Sequence, residues 1–258
     1  MNNWFKEHLS SPIINYLGRQ KCNRYFPQPP ILIGGCGRSG TTLLLAILSA
    51  HPDIFAIPHE TDAFTDWTAK DHKGFPVRID RFHRAILQAS VHTAHKRWCE
   101  KRPANVHHIE DILGYFGPKA KFIHIVRDPR AVCTSVHPLD PHQYWIPIDR
   151  YIKDVNAGIR HENHPQVYTL RYEDLVLAPG KEIAALSEFL ELSPFNQTDN
   201  WFEHATVRTN KAWSGSLKNI QHDSLHKWKN PEHSERVKTI NSNESIRKLM
   251  AHFNYSIK

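Results

Sequence analysis

The stretch GGCGRSGTTLL, residues 34–44, has the residue types and spacing of a loop that binds a phosphate-like anion. It follows the β-branched run ILI and leads into a leucine-rich segment, so the glycines lie between a predicted strand and a predicted helix. Glycine lets the backbone turn tightly, and the free N–H groups at a helix N-terminus attract an anion. The residues predicted to contact the anion are Gly37, Arg38, Ser39, Gly40, Thr41 and Thr42.

The loop lacks the lysine of nucleotide-hydrolysing P-loops. Gly35 and Gly40 match G-x-x-x-x-G, but Thr41 stands where those loops have a lysine that reaches the β and γ phosphates. Arg38 is the nearest cation, and its guanidinium can donate two hydrogen bonds to one tetrahedral anion. The alternative is a glycine-rich turn without a ligand. The combination of strand, glycines, arginine and helix favours anion binding.

A second candidate anchor is the segment KFIHIVRDPRAVCTSV, residues 121–136. Arg127 ends a predicted strand and Ser135 lies on the predicted helix that follows, so both side chains can reach one phosphate at the edge of the sheet. A structural Arg–Asp turn is the alternative interpretation of the RDP triplet.

The elements that must position these residues alternate between strand and helix. Strands are predicted in PPILIGG, DIFAI, KFIHIV and QVYTLRY, and helices follow them. This alternation predicts an α/β fold of three layers, with a central parallel sheet flanked by helices. We expect one domain over residues 1–258, with an irregular arm or short helix at 1–28. We also expect a helical cap on the acceptor side at 61–98, in which the apolar spacing of 79–98 is helical.

Composition limits the partners. The chain has 258 residues and a formal charge of +7, which suits an anionic partner such as a nucleotide, an acidic polymer or a membrane surface. It has no nucleic-acid-binding motif and no dense Lys/Arg run, so no nucleic acid is expected. The four cysteines form no C-x-x-C pair and the 19 histidines are scattered, so no metal site is expected.

The first twenty residues, MNNWFKEHLSSPIINYLGRQ, contain no apolar run long enough for a signal peptide or a membrane span. If Met1 is the natural start, this pattern predicts a cytoplasmic protein. The oligomeric state is not predicted.

Both motifs resemble those of one enzyme family. GGCGRSGTTLLLAILSAHPDI resembles the 5′-phosphosulfate loop of sulfotransferases that use 3′-phosphoadenosine-5′-phosphosulfate (PAPS), and KFIHIVRDPRAVCTSV resembles their 3′-phosphate motif. The resemblance covers residues 30–60, 98–136 and 166–228, and is greater to the tyrosylprotein and carbohydrate branches than to the small-phenol branch. It implies a P-loop NTPase-like sulfotransferase fold with PAPS as the sulfuryl donor and no required metal.

The resemblance assigns further donor-binding residues. In LRYEDL, Tyr172 matches a position that meets the nucleotide. SLKNIQHDSLHKW resembles a late loop that closes over the adenosine and the 3′-phosphate, with Lys218 and Lys227 as its basic residues. Solvated surface lysines are the alternative for these two positions.

The catalytic residues follow from the chemistry together with the resemblance. Sulfuryl transfer needs a base for the acceptor proton and cations near the leaving group. Glu60 matches the glutamate before a threonine in the tyrosylprotein branch if one residue is inserted, which leaves His59 as the alternative base. Lys101 in WCEKRPAN resembles the lysine of the family's EKTP motif, with Arg102 in place of threonine. With Arg38 it would neutralise the developing charge.

The expected function is transfer of a sulfuryl group from PAPS to a hydroxyl or amine, releasing 3′-phosphoadenosine-5′-phosphate (PAP). The expected acceptor is a glycan or a small molecule. We expect residues 61–98 and 137–150 to line the acceptor pocket, where Tyr144 or Trp145 could stack on a sugar. One alternative is protein-tyrosine sulfation, against which Leu139 stands where that branch has an arginine. The others are a P-loop kinase or NTPase, a non-catalytic polyanion-binding protein, and a sulfotransferase fold without activity.

Overall fold

The computed structural model describes residues 11–69, 74–91, 93, 95–137, 140–194, 200–208 and 222–256. The strands are β1 (Ile31–Gly35), β2 (Ile54–Ala56), β3 (Arg97–Lys101), β4 (Lys121–Val126), β5 (Val136–His137), β6 (Asp140–Tyr144) and β7 (Val167–Arg171). The helices are α1 (Ser11–Tyr25), α2 (Thr41–Leu48), α3 (Ile79–Gln88), α4 (Ile109–Phe116), α5 (Pro129–Cys133), α6 (Ile148–Ile159), α7 (Tyr172–Leu177), α8 (Pro179–Phe189), α9 (Trp201–His204), α10 (Ser234–Ser242) and α11 (Glu244–His252). Short 3₁₀ turns include Pro103–His108, His222–Leu225 and Lys227–Lys229.

The main sheet is parallel and has the strand order β2-β3-β1-β4-β7. The chain leaves β1 for the far edge at β2, returns through β3 and then crosses to β4, so the strand order reverses at β1. Ligands of such sheets bind beyond the carboxyl ends of the strands at this reversal. The loop after β1 therefore lies where this class of fold binds its ligands.

The sheet is covered on both faces, as the apolar runs of its central strands require. Ile31 and Ile33 of β1 pack with α2, α7 and α8 in one buried cluster, while Leu32 packs with α3 and α4 in another. A third cluster joins α6, α10 and α11 to Val126 at the end of β4. The predicted three-layer α/β fold is confirmed. No helix within the described ranges is long and apolar enough to cross a membrane.

The segment 1–28, expected to be an irregular arm or a short helix, contains the helix α1 over Ser11–Tyr25. The expectation for residues 61–98 needs correction. The expected helical segment 61–98 is helical over Ile79–Gln88, and Arg97 and Trp98 belong to β3, between β2 and β1. The segment RWCEK has three charged residues, so its sequence pattern does not predict a strand, although all five residues are buried. Residues 234–252 form the two helices α10 and α11, and the Asn243 side chain caps α11 by accepting a hydrogen bond from the N–H of Ile246.

A small antiparallel hairpin, β5–β6, follows α5 and was not predicted. It leads directly to Trp145, whose N–H donates to the carbonyl of Ser135 at 2.8 Å. The hairpin thereby brings residues from the middle of the chain to the loop after β1.

Candidate active site

The glycine-rich loop runs from the end of β1 to the first turn of α2. Gly40 is the N-cap residue of α2 and has φ 97°, a left-handed conformation that favours glycine. A Cβ atom at this position would lie 2.4 Å from Cδ2 of Tyr172, so the loop also packs too closely for a side chain. Arg38 has φ 69° without being glycine, a strained conformation of the kind that concentrates at functional sites.

A cavity of about 420 Å³ opens above this loop. It is lined by Gly37, Arg38, Gly40, Thr41, Thr42, Leu43, Glu60, Lys101, Arg102, Pro103, Ala104, Arg127, Trp145, Ile146, Arg150, Tyr172 and Ser224. These residues come from the carboxyl ends of β1, β3, β4 and β7, from the segments after β2 and β6, from α6 and from the 3₁₀ turn at His222–Leu225. The structure therefore joins the glycine-rich loop and Arg127 of the second predicted anchor in one site.

The lining is strongly cationic. Among the described residues that form it, Arg38, Lys101, Arg102, Arg127 and Arg150 are cations and Glu60 is the anion. Arg102 forms an ion pair with Asp62. Such a concentration of positive charge in a concave site attracts a multiply charged anion.

Arg127 is held in place by backbone and aromatic contacts. It donates to the carbonyl of Arg38 at 3.1 Å and to the carbonyl of Ser224 at 2.5 Å. Its guanidinium lies 4.1 Å from the ring centroid of Tyr172, whose hydroxyl is 2.8 Å from the hydroxyl oxygen of Ser224. These contacts orient the Arg127 guanidinium and leave some of its five N–H groups to donate to a ligand.

The loop itself carries an unsatisfied donor that fits an anion. Within the described residues, Nε of Arg38, a residue that lines the cavity, is buried without a hydrogen-bond partner. Burial and then the charge of Arg127 lower the pKa of the Arg38 guanidinium. An anion in the cavity would relieve this repulsion, since unpaired buried polar groups are costly and like charges repel.

Glu60 and Lys101 form an ion pair at the edge of the same cavity. Nζ of Lys101 donates to Oε1 of Glu60 at 2.6 Å. The lysine is 4% exposed and the glutamate 39% exposed, so the ammonium is held inside while the carboxylate faces the opening. The predicted base and the predicted charge-neutralising lysine are therefore direct neighbours.

Not every predicted residue reaches the cavity. Ser39 is buried behind the loop, and His59 is exposed and does not line the cavity. The hydroxyl of Ser135 donates to the carbonyl of Ala131 at 2.9 Å, within α5 and the turn after it. Lys227 is exposed outside the lining. Lys218 lies outside the described residues, as does Leu139.

The fold adds Ser224 to the site and places Trp145 and Arg150, from the predicted acceptor segment 137–150, against the glycine-rich loop. Ser224 reaches the cavity from the late loop, one turn before the predicted Lys227. The ring centroid of Trp145 lies 5.1 Å from the Arg38 guanidinium, so the ring makes a cation–π contact with the glycine-rich loop, called the donor loop below. Arg150, in the first turn of α6, lies close to Gly37: a Cβ atom there would be 3.8 Å from the Arg150 guanidinium. No local sequence pattern linked Arg150 to the loop.

Comparisons with known proteins give the family and the fold of this chain. A sequence profile of the sulfotransferase family matches residues 29–197. The protein-tyrosine sulfotransferase of Drosophila melanogaster is 27% identical over 195 residues, which is 65% of this chain and 39% of that protein. The chain spans between 39% and 65% of the lengths of the three animal protein-tyrosine sulfotransferases that head this comparison.

Two solved structures share the fold. The sulfotransferase domain of the Synechococcus PCC 7002 olefin synthase is 21% identical with a TM-score of 0.61, and the match covers 90% of this chain and 96% of that one. A mouse sulfotransferase complexed with PAP is 14% identical with a TM-score of 0.52, covering 92% of this chain and 94% of that one. The profile match spans the donor loop, Glu60, Lys101, Arg127 and Tyr172. The chain thus belongs to the sulfotransferase family.

Proposed function

We propose that this protein transfers a sulfuryl group from PAPS to a hydroxyl or amine of an acceptor and releases PAP. The observation that carries the proposal is the single cavity in which the lysine-free anion loop, Arg127 and the Glu60–Lys101 pair meet. An anion loop alone would fit many nucleotide-binding proteins. A carboxylate bound to a buried ammonium beside that loop supplies a base and a cation for group transfer.

The donor is bound by the loop and by Arg127. The 5′-phosphosulfate would take the N–H groups at the start of α2, the hydroxyls of Thr41 and Thr42, and the guanidinium of Arg38. The 3′-phosphate would take the donors of Arg127 that its contacts with Arg38 and Ser224 leave open. Tyr172 forms the surface under Arg127 and contributes a ring to the nucleotide site.

The transfer step uses the Glu60–Lys101 pair. The acceptor oxygen forms a bond to sulfur as the bond from sulfur to the bridging oxygen breaks, and that electron pair goes to the 5′-phosphate of PAP. The acceptor proton goes to the Glu60 carboxylate. As Glu60 becomes neutral, its attraction for Lys101 falls, which frees the ammonium to neutralise the bridging oxygen; Arg38 shares this role.

The acceptor is proposed to be a glycan or a small molecule. Besides the anion loop, the cavity is lined by Arg102, Pro103, Ala104, Trp145 and Arg150, which combine cations with an aromatic ring. Such a surface fits a sugar or another polar molecule with aromatic or anionic parts. The similarity to protein-tyrosine sulfotransferases makes a tyrosine side chain the second acceptor class to test. We further propose a cytoplasmic location for the enzyme.

Calorimetric titration tests the proposal. PAP should bind much more tightly than AMP, which lacks the 3′-phosphate, and ATP–Mg²⁺ should bind weakly at the same salt concentration. In Arg127→Ala, the affinity for PAP should fall by about 10- to 100-fold, the range for a lost hydrogen bond to a charged group, while the affinity for AMP stays nearly constant. Arg247→Ala, at an exposed arginine of α11, is the matched control. Preference for ATP–Mg²⁺ would instead indicate a kinase or NTPase.

A further inference from the structure

We propose that Glu100 is a positioning residue that holds the base Glu60 against Lys101 by anchoring Thr61. The proposal rests on the proposed function, because it assigns a role within the same transfer site. Glu100 does not line the cavity and is fully buried on β3, where it pairs in register with Leu32 of β1. It would therefore act through Glu60 and not on the substrates.

The contacts of Glu100 lead directly to the base. Its Oε1 accepts hydrogen bonds from the backbone N–H of Thr61 and from the Thr61 hydroxyl, both at 3.2 Å. Thr61 follows Glu60 in the chain, and Lys101 follows Glu100. Glu100 therefore directly precedes Lys101 in the chain, and it is hydrogen-bonded to Thr61, the residue that follows Glu60.

The segment that carries Glu60 needs such an anchor. Pro58, His59 and Glu60 are exposed, so water surrounds this turn. On its near side, the N–H of Ile57 donates to the carbonyl of Cys99 at 2.9 Å. On its far side, Thr61 is buried and bonded to Glu100. The turn is therefore held to β3 at both ends, and the Glu100 bonds fix the end nearest the base.

The second carboxylate oxygen ties this anchor to the core. Oε2 of Glu100 accepts from Nδ2 of Asn105 at 2.8 Å, and the same nitrogen lies 3.3 Å from the carbonyl of Ile33 on β1. All three groups around Glu100 are donors, which an ionised carboxylate satisfies with two acceptor oxygens. An amide has one acceptor oxygen and must turn its NH₂ group toward one of these donors.

Retaining a carboxylate here has an electrostatic cost. Burial raises the pKa of the Glu100 carboxyl, while the hydrogen bonds from Asn105 and Thr61 and the charge of Lys101 oppose that rise. An apolar residue would avoid the cost of burying the charge. A role in placing the Glu60 turn accounts for a charged group at this position.

A double-mutant cycle tests whether Glu100 acts through Glu60. The readout is the rate of PAPS conversion to PAP at saturating PAPS, with water as the acceptor. We expect Glu100→Gln to lower this rate by about 10- to 100-fold, the scale for a misplaced catalytic group, with PAP affinity unchanged. In the Glu60→Gln background the same substitution should change the rate by less than about 2-fold. Rate factors that multiply in the double variant would overturn the proposal.

A second pair of variants covers the case in which Glu100→Gln fails to fold. Thr61→Val removes the hydroxyl, which donates to Glu100 and accepts from the N–H of Ala63, and keeps the backbone bond to Glu100. It should therefore lower the rate by a smaller factor than Glu100→Gln. Thr61→Ser keeps the hydroxyl and should restore most of the rate. Equal rates for Thr61→Val and Thr61→Ser would contradict the anchor.

Amide hydrogen exchange separates this proposal from the proposed function. In Glu100→Gln, the Thr61 amide should exchange faster than in the unsubstituted protein, with the loop at 36–40 unaffected. This readout needs no donor or acceptor. Failure of PAP to bind would contradict the proposed function, whereas an unchanged Thr61 exchange rate would contradict the anchor even if PAP binds.

Discussion

The two halves of the site are built in different ways. The donor half is centred on a short stretch of chain, residues 34–42, whose backbone conformation forms the anion loop. Arg127 and Trp145 join this loop through tertiary contacts with Arg38. The transfer half brings Glu60 from the turn after β2 to Lys101 at the end of β3, residues that are 41 positions apart. The anion loop is encoded locally, whereas the transfer half depends on the strand order of the sheet.

This difference predicts different consequences of mutation. Substitutions in the donor half should weaken nucleotide binding, because they disturb the N–H groups and guanidinium groups that donate hydrogen bonds to the phosphates. Substitution of Glu60 in the transfer half should leave nucleotide binding nearly intact and lower the rate, because Glu60 acts on the acceptor and not on the nucleotide. Each variant below disturbs one half of the site, and the property that depends on the other half, PAP affinity or rate, is the comparison.

Glu60→Gln should have the largest effect on rate. Glutamine keeps the shape of the side chain but cannot take the acceptor proton, so the rate at saturating PAPS should fall by about 10²- to 10⁴-fold. Calorimetry should show the same PAP affinity. His59→Ala is the control and should change the rate less than about 2-fold. If Glu60→Gln is fully active and His59→Ala is not, His59 is the base.

Lys101→Met should have the next largest effect. Methionine fills the buried space of the lysine stem but removes the ammonium that neutralises the leaving oxygen, so the rate should fall by about 10²- to 10³-fold. Glu60 is left without its partner but is exposed enough to be solvated. A rate within a few-fold of the unsubstituted protein would show that Arg38 alone neutralises the leaving group.

Gly40→Ala should break the donor half. The left-handed conformation at this residue costs a non-glycine roughly 1–3 kcal/mol, and the added methyl group meets the Tyr172 ring. Both the free energy of unfolding and the affinity for PAP should fall. Gly114→Ala is the matched control, because a Cβ atom there meets nothing within 4 Å. Chemical denaturation should show Gly114→Ala to be neutral or stabilising.

How far each half could be predicted follows from the same difference. The glycines, Arg38 and Arg127 were predicted because each lies within a contiguous strand–turn–helix pattern. Strand β3 was missed because RWCEK has no apolar period, although every residue in it is buried. Ser224 and the approach of Arg150 to the anion loop were missed because the late 3₁₀ turn and α6 reach the loop through tertiary packing, which no local spacing encodes.

Trp145→Leu should have the smallest effect. The contact between the Trp145 ring and the Arg38 guanidinium is worth roughly 0.5–2 kcal/mol, so the affinity for PAP should fall by about 2- to 30-fold. Trp145→Phe, which keeps an aromatic face, should recover part of that loss. If calorimetry finds equal PAP affinity for the two variants, this cation–π contact does not contribute to PAP binding.

The most direct test of separate binding and transfer halves is the rate of PAPS conversion to PAP at saturating PAPS in Arg127→Ala and Glu60→Gln. At saturation, the weaker binding of Arg127→Ala is compensated by concentration, so its rate should stay within a few-fold of the unsubstituted protein. The rate of Glu60→Gln should fall by about 10²-fold or more under the same conditions. The reverse pattern, a slow Arg127→Ala and a normal Glu60→Gln, would contradict the division of roles between the two halves.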